Sequence, residues 1–480
     1  SYHASLNRSC HKGSQKLLVD VKISSKEVGK LSTSVMFTAI LVYFFIILSE
    51  SFRINRNNSL SLQQIITKMT KTVLSIIILF CSLTASADGN GKIIYVPEDL
   101  RSMDLQSDTS RWSLKRSLET DDLIFMWERG FGNDVSNSPQ LEGKPMSFNL
   151  QNLRDRVQSF YHFFRDTLGF VKGPSKSDRY KMMVMVMYSL DGTAYGGTYD
   201  NFIGALWVTP NRIQDTKMNC MAHELGHSFQ SQIMADSIGQ CWGGTGIFEM
   251  ASQWMLWQVN PDWLTDENYH FEAFKGLTHK AFLHMDNIYH SPYVLQWWSN
   301  LHGRQFIAEL FRQGKIGEDP AMTYKRMNNL SQSAFCDEMF RGYQHLVNFD
   351  FTHAYKETRQ YACTFDTEME CASDGWLRPM LLPEGYGFNA IKLDSRVDLK
   401  SPAFHLRLRG DQLRYGFVGI TTDGKSIYSD VNATSFSSNG KPLKHLYLIV
   451  MGAPERHSEV MTDGNIPEYK QFPYEFQITD

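Results

Sequence analysis

The chain has 480 residues and 55.2 kDa, with 42% apolar and 21% charged residues and Lys+Arg 48 against Asp+Glu 51. This composition excludes a disordered, collagen-like or coiled-coil chain. A mean hydropathy of -0.32 excludes a polytopic membrane protein, and a net charge of -3 offers no basic footprint for nucleic acid.

Two apolar runs open the chain. Val35–Leu48 is short of the roughly 20 residues that a membrane-spanning helix needs. The second follows Lys68, Met69 and Lys71, covers Val73–Leu83 and ends at Ala85-Ser86-Ala87. A basic start, a short apolar core and a small-x-small site make a secretory signal. We therefore expect 1–68 to be an upstream extension outside the mature protein, 69–87 a signal peptide, and Asp88 the mature start. The product is then exported to the periplasm, cell surface or medium, without a stable membrane span. A retained N-terminal anchor is the other reading. Residues 1–87 carry ten Lys/Arg and three Asp/Glu, so 38 basic and 48 acidic residues remain, net -10. Five cysteines remain too, and Cys363 with Cys371 is the best-spaced disulfide pair for an exported protein.

Along the mature chain, Asp122–Trp127 reads as a strand and Gly130–Asn137 as a loop. Ser147–Leu168 has helical apolar spacing, and Tyr180–Tyr188 is a buried strand. Leu190–Tyr199 (LDGTAYGGTY) reads as a Gly-rich loop, with Tyr195-Gly196-Gly197 a turn rather than a lip over a cleft. Phe202–Val208 is a strand, and Thr216–Met234 a helix capped by Asp215 or Thr216. Thr245 caps a second helix that stops at Asn260-Pro261, and helical patterns recur at 269–284, 291–301, 303–313 and 331–347. Beyond 386 the runs His405–Leu408, Tyr415–Ile420, Ser426–Tyr428, His445–Met451 and Tyr474–Ile478 alternate between turn signals. These patterns divide the mature chain into a mixed domain at 88–352, a boundary region at 353–386 and a β-sandwich at 387–480.

The chemistry lies at His223-Glu224-Leu225-Gly226-His227. One helical turn separates the two histidines, so both imidazoles project from one face and can share a metal. Glu224 sits beside them as a general base. Chance yields about 0.02 such H-E-x-x-H matches at this composition. A metzincin would need Gly at 230 and His at 233, but Gln230 and Ile233 stand there. Glu249, on the next helix, fits a third ligand and is preferred over Asp262, Asp266, Glu267 and His270, which fall at or after that helix's end. Two His, one Glu and an open position suit Zn2+, one per chain. Gln253, one turn past Glu249, is placed to orient a ligand. Ile203–Val208 is placed either to be the edge strand that pairs with an extended substrate or to be an ordinary core strand. Tyr289, His290 or Tyr293 can supply the oxyanion donor, and Cys220 is expected to be buried rather than a ligand.

The stretches FMWERGFGND (125–134), AYGGTYDNFIGALWVTPNR (194–212), MAHELGHSFQ (221–230) and FEMASQWM (248–255) resemble the DUF6055 type of exported bacterial proteins, placed among gluzincin-like metallopeptidases. YHSPY (289–293) and LYLIVMGAP (446–454) extend the resemblance over most of 95–480. HELGHSFQ is also similar, locally, to enhancin-like, mucin-directed gluzincins. The resemblance implies an α+β zincin-like (gluzincin) catalytic domain with a helical C-terminal subdomain, followed by an all-β sandwich. The expected activity is a zinc endopeptidase acting on peptides, proteins or glycoproteins, with His223, His227 and Glu249 on the metal and Glu224 as base. A cell-surface glycan- or protein-binding module with a structural or vestigial metal site is the alternative.

Overall fold

The computed structural model describes residues 91–239, 242, 246–353, 356–400, 402, 404–458 and 469–479. The expected signal segment, everything before it, Cys241 and the expected cap Thr245 lie outside the described residues. Among the described residues no helix is long and apolar enough to cross a membrane.

Two apolar runs, β2 (Leu123–Trp127) and β3 (Met182–Val186), are buried at every residue, as strands covered on both faces are. They pair in parallel, and β5 (Ile203–Val208) continues the parallel set. β1 (Ser117–Glu119) and β4 (Ala194–Tyr199) add antiparallel margins, giving the order β1-β2-β3-β5-β4. Helix α1 (Leu150–His162) connects β2 to β3 and starts at Asn149, whose side chain accepts from the Asn152 amide. It buries Leu153, Val157, Phe160 and Tyr161, the stripe that the sequence spacing predicts.

The segment expected to be a Gly-rich loop is therefore a strand, and it corrects the placement of the edge. β4 is the margin of the sheet, and β5 lies one position inside it. Its glycines serve packing. A Cβ on Gly196 would lie 1.8 Å from the Glu224 carbonyl oxygen of α2 (Asn219–Ala235). Only a strand without a side chain there approaches that helix so closely.

Helix α2 starts later than expected. Met218, at φ 57, precedes it, while Asp215 accepts from the Lys217 amide in the turn before. Met218 is buried in that turn, and Asp215 Oδ2 accepts from the Asn219 amide at the start of the helix at 3.4 Å. Then come α3 (Gly246–Val259), α4 (Trp263–Asp266), α5 (Asn268–Leu277), α6 (Tyr293–His302), α7 (Phe306–Gln313), α8 (Pro320–Met327) and α9 (Gln332–Leu346). The sequence reading misses α8, although Asp319 caps it and Pro320 opens it.

Two four-stranded sheets follow. One has the order β11-β10-β12-β8, from β8 (Phe388–Lys392), β10 (Leu413–Thr421), β11 (Ser426–Tyr428) and β12 (Leu443–Gly452). The other has the order β6-β7-β13-β9, from β6 (Met369–Cys371), β7 (Leu377–Pro379), β9 (His405–Arg409) and β13 (Glu475–Thr479). Leu406 and Phe476 of the second sheet meet Phe417, Leu448 and Val450 of the first. The opposite face of the first sheet, with Val418, Tyr447, Ile449 and Phe388, joins the core of the helical region. Phe388 stacks on Tyr343 of α9, ring centroids 4.1 Å apart. Two strands thus arise inside the expected boundary region 353–386, and 91–480 forms one unit. The architecture is α+β.

The expected Cys363–Cys371 disulfide is not formed. Cys371 is exposed on strand β6, whereas Cys363 turns inward and its thiol reaches Asn348 Oδ1 at 3.7 Å.

Candidate metal centre

Helix α2 is pinned to the sheet before it presents any chemistry. Ser228 Oγ donates to the Ala205 carbonyl at 2.8 Å, and Gln232 Oε1 accepts from the Gly204 amide at 2.7 Å. The opposite face carries His223 and His227. Helix α3 crosses it and delivers Glu249, so the two helices close a corner over the imidazoles. The three side chains are 12%, 15% and 19% exposed.

Three atoms converge. His223 Nε2 lies 3.0 Å from Glu249 Oε2, His227 Nε2 lies 3.1 Å from it, and the two Nε2 atoms are 3.0 Å apart. The outer ring nitrogens fix which atoms carry protons. Gln253 Nε2 lies 3.0 Å from the Tyr289 carbonyl, which only accepts, so Gln253 presents Oε1 to His223 Nδ1 at 3.0 Å. That nitrogen must therefore donate. Gln230 Nε2 likewise donates to the Phe248 carbonyl, leaving its Oε1 to accept from His227 Nδ1 at 3.3 Å. With Nδ1 protonated in both rings, neutral imidazoles point bare lone pairs at a carboxylate oxygen. Three acceptors at such separations repel unless a cation is shared among them. Their spacing is close to the about 3.3 Å between vertices of a tetrahedral site with ~2.0–2.1 Å bonds. His223, His227 and Glu249 are a donor set of the kind that suits Zn2+.

In the absence of a cation, protons on the ring nitrogens take its place between the imidazoles and the carboxylate. Burial works to raise the Glu249 pKa, but the two imidazoles prevail and hold its carboxyl well below the usual carboxylate range. Burial works to lower His227, and the Glu249 carboxylate outweighs it, so this imidazole is raised. Without a cation, a proton held between His227 and Glu249 would serve as the counter-charge.

Glu224 follows His223 on the helix and is half-buried, and no side chain among the described residues hydrogen-bonds its carboxylate. Tyr289 stands beside the site, its ring centroid 6.1 Å from that of His223 and its side chain 42% exposed. Burial first, then the nearby carboxylates of Glu249 and Glu224, push its phenol up to about 12, so it keeps its proton at neutral pH. Tyr293 is elsewhere, which corrects its expected role. It is sealed among Trp257, Phe271, Phe274 and Phe349, and its buried hydroxyl has no hydrogen-bond partner among the described residues. The chain turns between Tyr289 and the start of α6, and that non-helical turn sends Tyr293 into the core.

The rival ligands have other work. Asp262 and Asp266 hold Lys217 at 2.9 and 2.7 Å, and Glu267 accepts from Asn219 and Trp263. His270 accepts from Gln253 at 3.2 Å and contacts His290, Nδ1 to Nδ1, at 2.7 Å. Cys220 is largely buried, and burial first, then Glu224, raise its thiol to about 12. Sequence reasoning overlooks Gln230 and Ser252, whose Oγ lies 3.2 Å from His227 Nδ1. The signal was there in Gln230, three residues past His227 on one helix.

A family model described as a family of unknown function (DUF6055) matches residues 86–480. The chain belongs to that family. No curated protein matches it.

Proposed function

We propose that this protein is a zinc-dependent hydrolase of the gluzincin type, acting as an endopeptidase outside the cytoplasm. The observation that carries the reading is the convergence of His223 Nε2, His227 Nε2 and Glu249 Oε2 within 3.1 Å, next in sequence to Glu224, whose carboxylate no side chain among the described residues hydrogen-bonds. The export half rests on the Lys68–Ala87 signal pattern.

A zinc ion held by these three residues would polarise a carbonyl and lower the pKa of water toward about 7. Glu224 takes the proton of the attacking water and delivers it to the nitrogen of the breaking C–N bond. Tyr289, protonated at neutral pH, donates a hydrogen bond to the developing oxyanion. The outer margin of β4, pressed against α2 at Gly196, offers backbone groups to an extended peptide beside these residues.

The test is Glu224→Gln measured beside the wild type on a mixed peptide library, with bound zinc quantified in both. The reading expects equal zinc and a loss of cleavage of at least about a hundredfold, the scale of a general base. Cleavage at the wild-type rate in the variant would sink it.

A further inference from the structure

One buried side chain touches both the metal ligands and the turn that carries Tyr289. Gln253 is 3% exposed and sits one turn past Glu249 on α3. Its carbonyl oxygen accepts from His223 Nδ1 at 3.0 Å. Its amide nitrogen has two protons, one for the Tyr289 carbonyl at 3.0 Å and one for His270 Nε2 at 3.2 Å. His270, having accepted at Nε2, carries its proton on Nδ1 and donates it to His290 Nδ1 at 2.7 Å. The Tyr289–His290 turn is thus gripped twice from one amide, at its backbone directly and at its second residue through His270.

We propose that Gln253 is a positioning residue that couples metal occupancy at His223 to the order of the Tyr289–His290 turn. This inference rests on the metal reading given above. The chemistry demands an amide. A carboxylate at 253 could hold His223, and it is the commoner partner of a ligating histidine. It has no proton for the Tyr289 carbonyl or for His270, and it would repel both. An apolar side chain would leave three buried polar groups unpaired. Fixing His223 by a bound metal fixes the ring that Gln253 leans on. The amide then holds Tyr289 where its phenol faces Glu249 and Glu224.

The experiment uses the full chain, stripped of metal and titrated with zinc chloride against a coloured chelator. Hydrogen exchange is followed at the His290 and Ser291 amides, which donate to the Asn287 carbonyl and exchange when the turn opens. Three proteins are compared: wild type, Gln253→Met, which keeps the volume, and Gln253→Glu, which keeps the acceptor. The wild type is expected to exchange more slowly in the turn with zinc than without. Gln253→Met is expected to bind zinc roughly 10–100-fold more weakly, the usual loss when such a partner is removed, with fast exchange in both states. Gln253→Glu is expected to bind zinc at least as tightly as wild type, while zinc no longer slows exchange in the turn. Zinc affinity within twofold of wild type in Gln253→Met, or full zinc-dependent protection in Gln253→Glu, overturns the proposal. If Gln253→Met does not fold, Gln253→Glu alone decides. A wild type that binds no zinc removes the metal reading itself, and this inference with it.

Discussion

Gly196 gives the sharpest test of how the edge strand meets the H-E-x-x-H helix. A Cβ there would lie 1.8 Å from Glu224 O, 2.7 Å from Glu224 C and 2.9 Å from the His227 Cβ. Ordinary contact is about 3.5 Å, so the strand must retreat by about 1.5 Å along that line. Neither side yields cheaply. β4 is tied to β5 over six residue pairs, and α2 is held by Ser228 and Gln232. Overpacking costs typically 1–3 kcal/mol, and with backbone on both sides we expect about 3 kcal/mol or more for Gly196→Ala. At roughly 2 °C per kcal/mol for a chain of this size, the melting midpoint should fall by about 5 °C or more. Gly197→Ala is the control. The three atoms nearest its Cβ would all belong to the Tyr195 side chain, at 3.1–3.4 Å, and that residue is 59% exposed, the exposed end of a side chain rather than backbone. We expect Gly197→Ala to change stability by less than about 1 kcal/mol, helped by the lower chain entropy of Ala when unfolded. Denaturant melts of both variants read the difference directly. Matching midpoints for the two would refute the packing argument.

Three further outcomes follow from the geometry. Tyr289→Phe should keep its zinc and lose roughly tenfold or more in kcat with little change in KM, because the phenol acts only on developing charge; unchanged kcat would remove Tyr289 from the chemistry. Tyr293→Phe should leave activity intact and be neutral or stabilising by up to about 1 kcal/mol, since its hydroxyl is buried without a partner; a clear loss of stability in the melt would show a hidden bond. Burial raises Cys220 to about 12 and Cys336 and Cys363 to about 11, so at pH 8 only about one thiol in a thousand or fewer is a thiolate at each. Iodoacetamide with peptide mapping should therefore label exposed Cys371 first among these four, with the other three thiols gaining as pH rises; rapid labelling of Cys220 at pH 8 in the metal-free or metal-loaded protein would contradict this.

Much of the site is legible in the sequence, because one helical turn places His223 and His227 on one face whatever surrounds them. Glu249 is reachable by spacing and by the break at Asn260-Pro261. The surroundings are less legible, for identifiable reasons. β4 reads as a loop because Gly196 and Gly197 have poor strand propensity, yet it pairs with β5 over six positions, and the close approach of α2 is what requires glycine at 196. Strands β6 and β7 have three residues each, too short for a period to show. β8 (FNAIK) is buried on both faces, so it lacks the alternation that marks its neighbours. Tyr289 and Tyr293 look equivalent as letters, and only the course of the chain into α6 sends one to the site and the other to the core. The Gln253 and Gln230 contacts depend on carbonyls of Tyr289 and Phe248, which no side-chain pattern reveals.

The central claim is that His223, His227 and Glu249 hold a catalytic zinc ion. The most direct measurement is metal content by mass spectrometry on protein purified without chelator or nickel, beside His223→Ala. The account predicts close to one zinc per wild-type chain and almost none in the variant. No metal in either protein, or equal zinc in both, would contradict it.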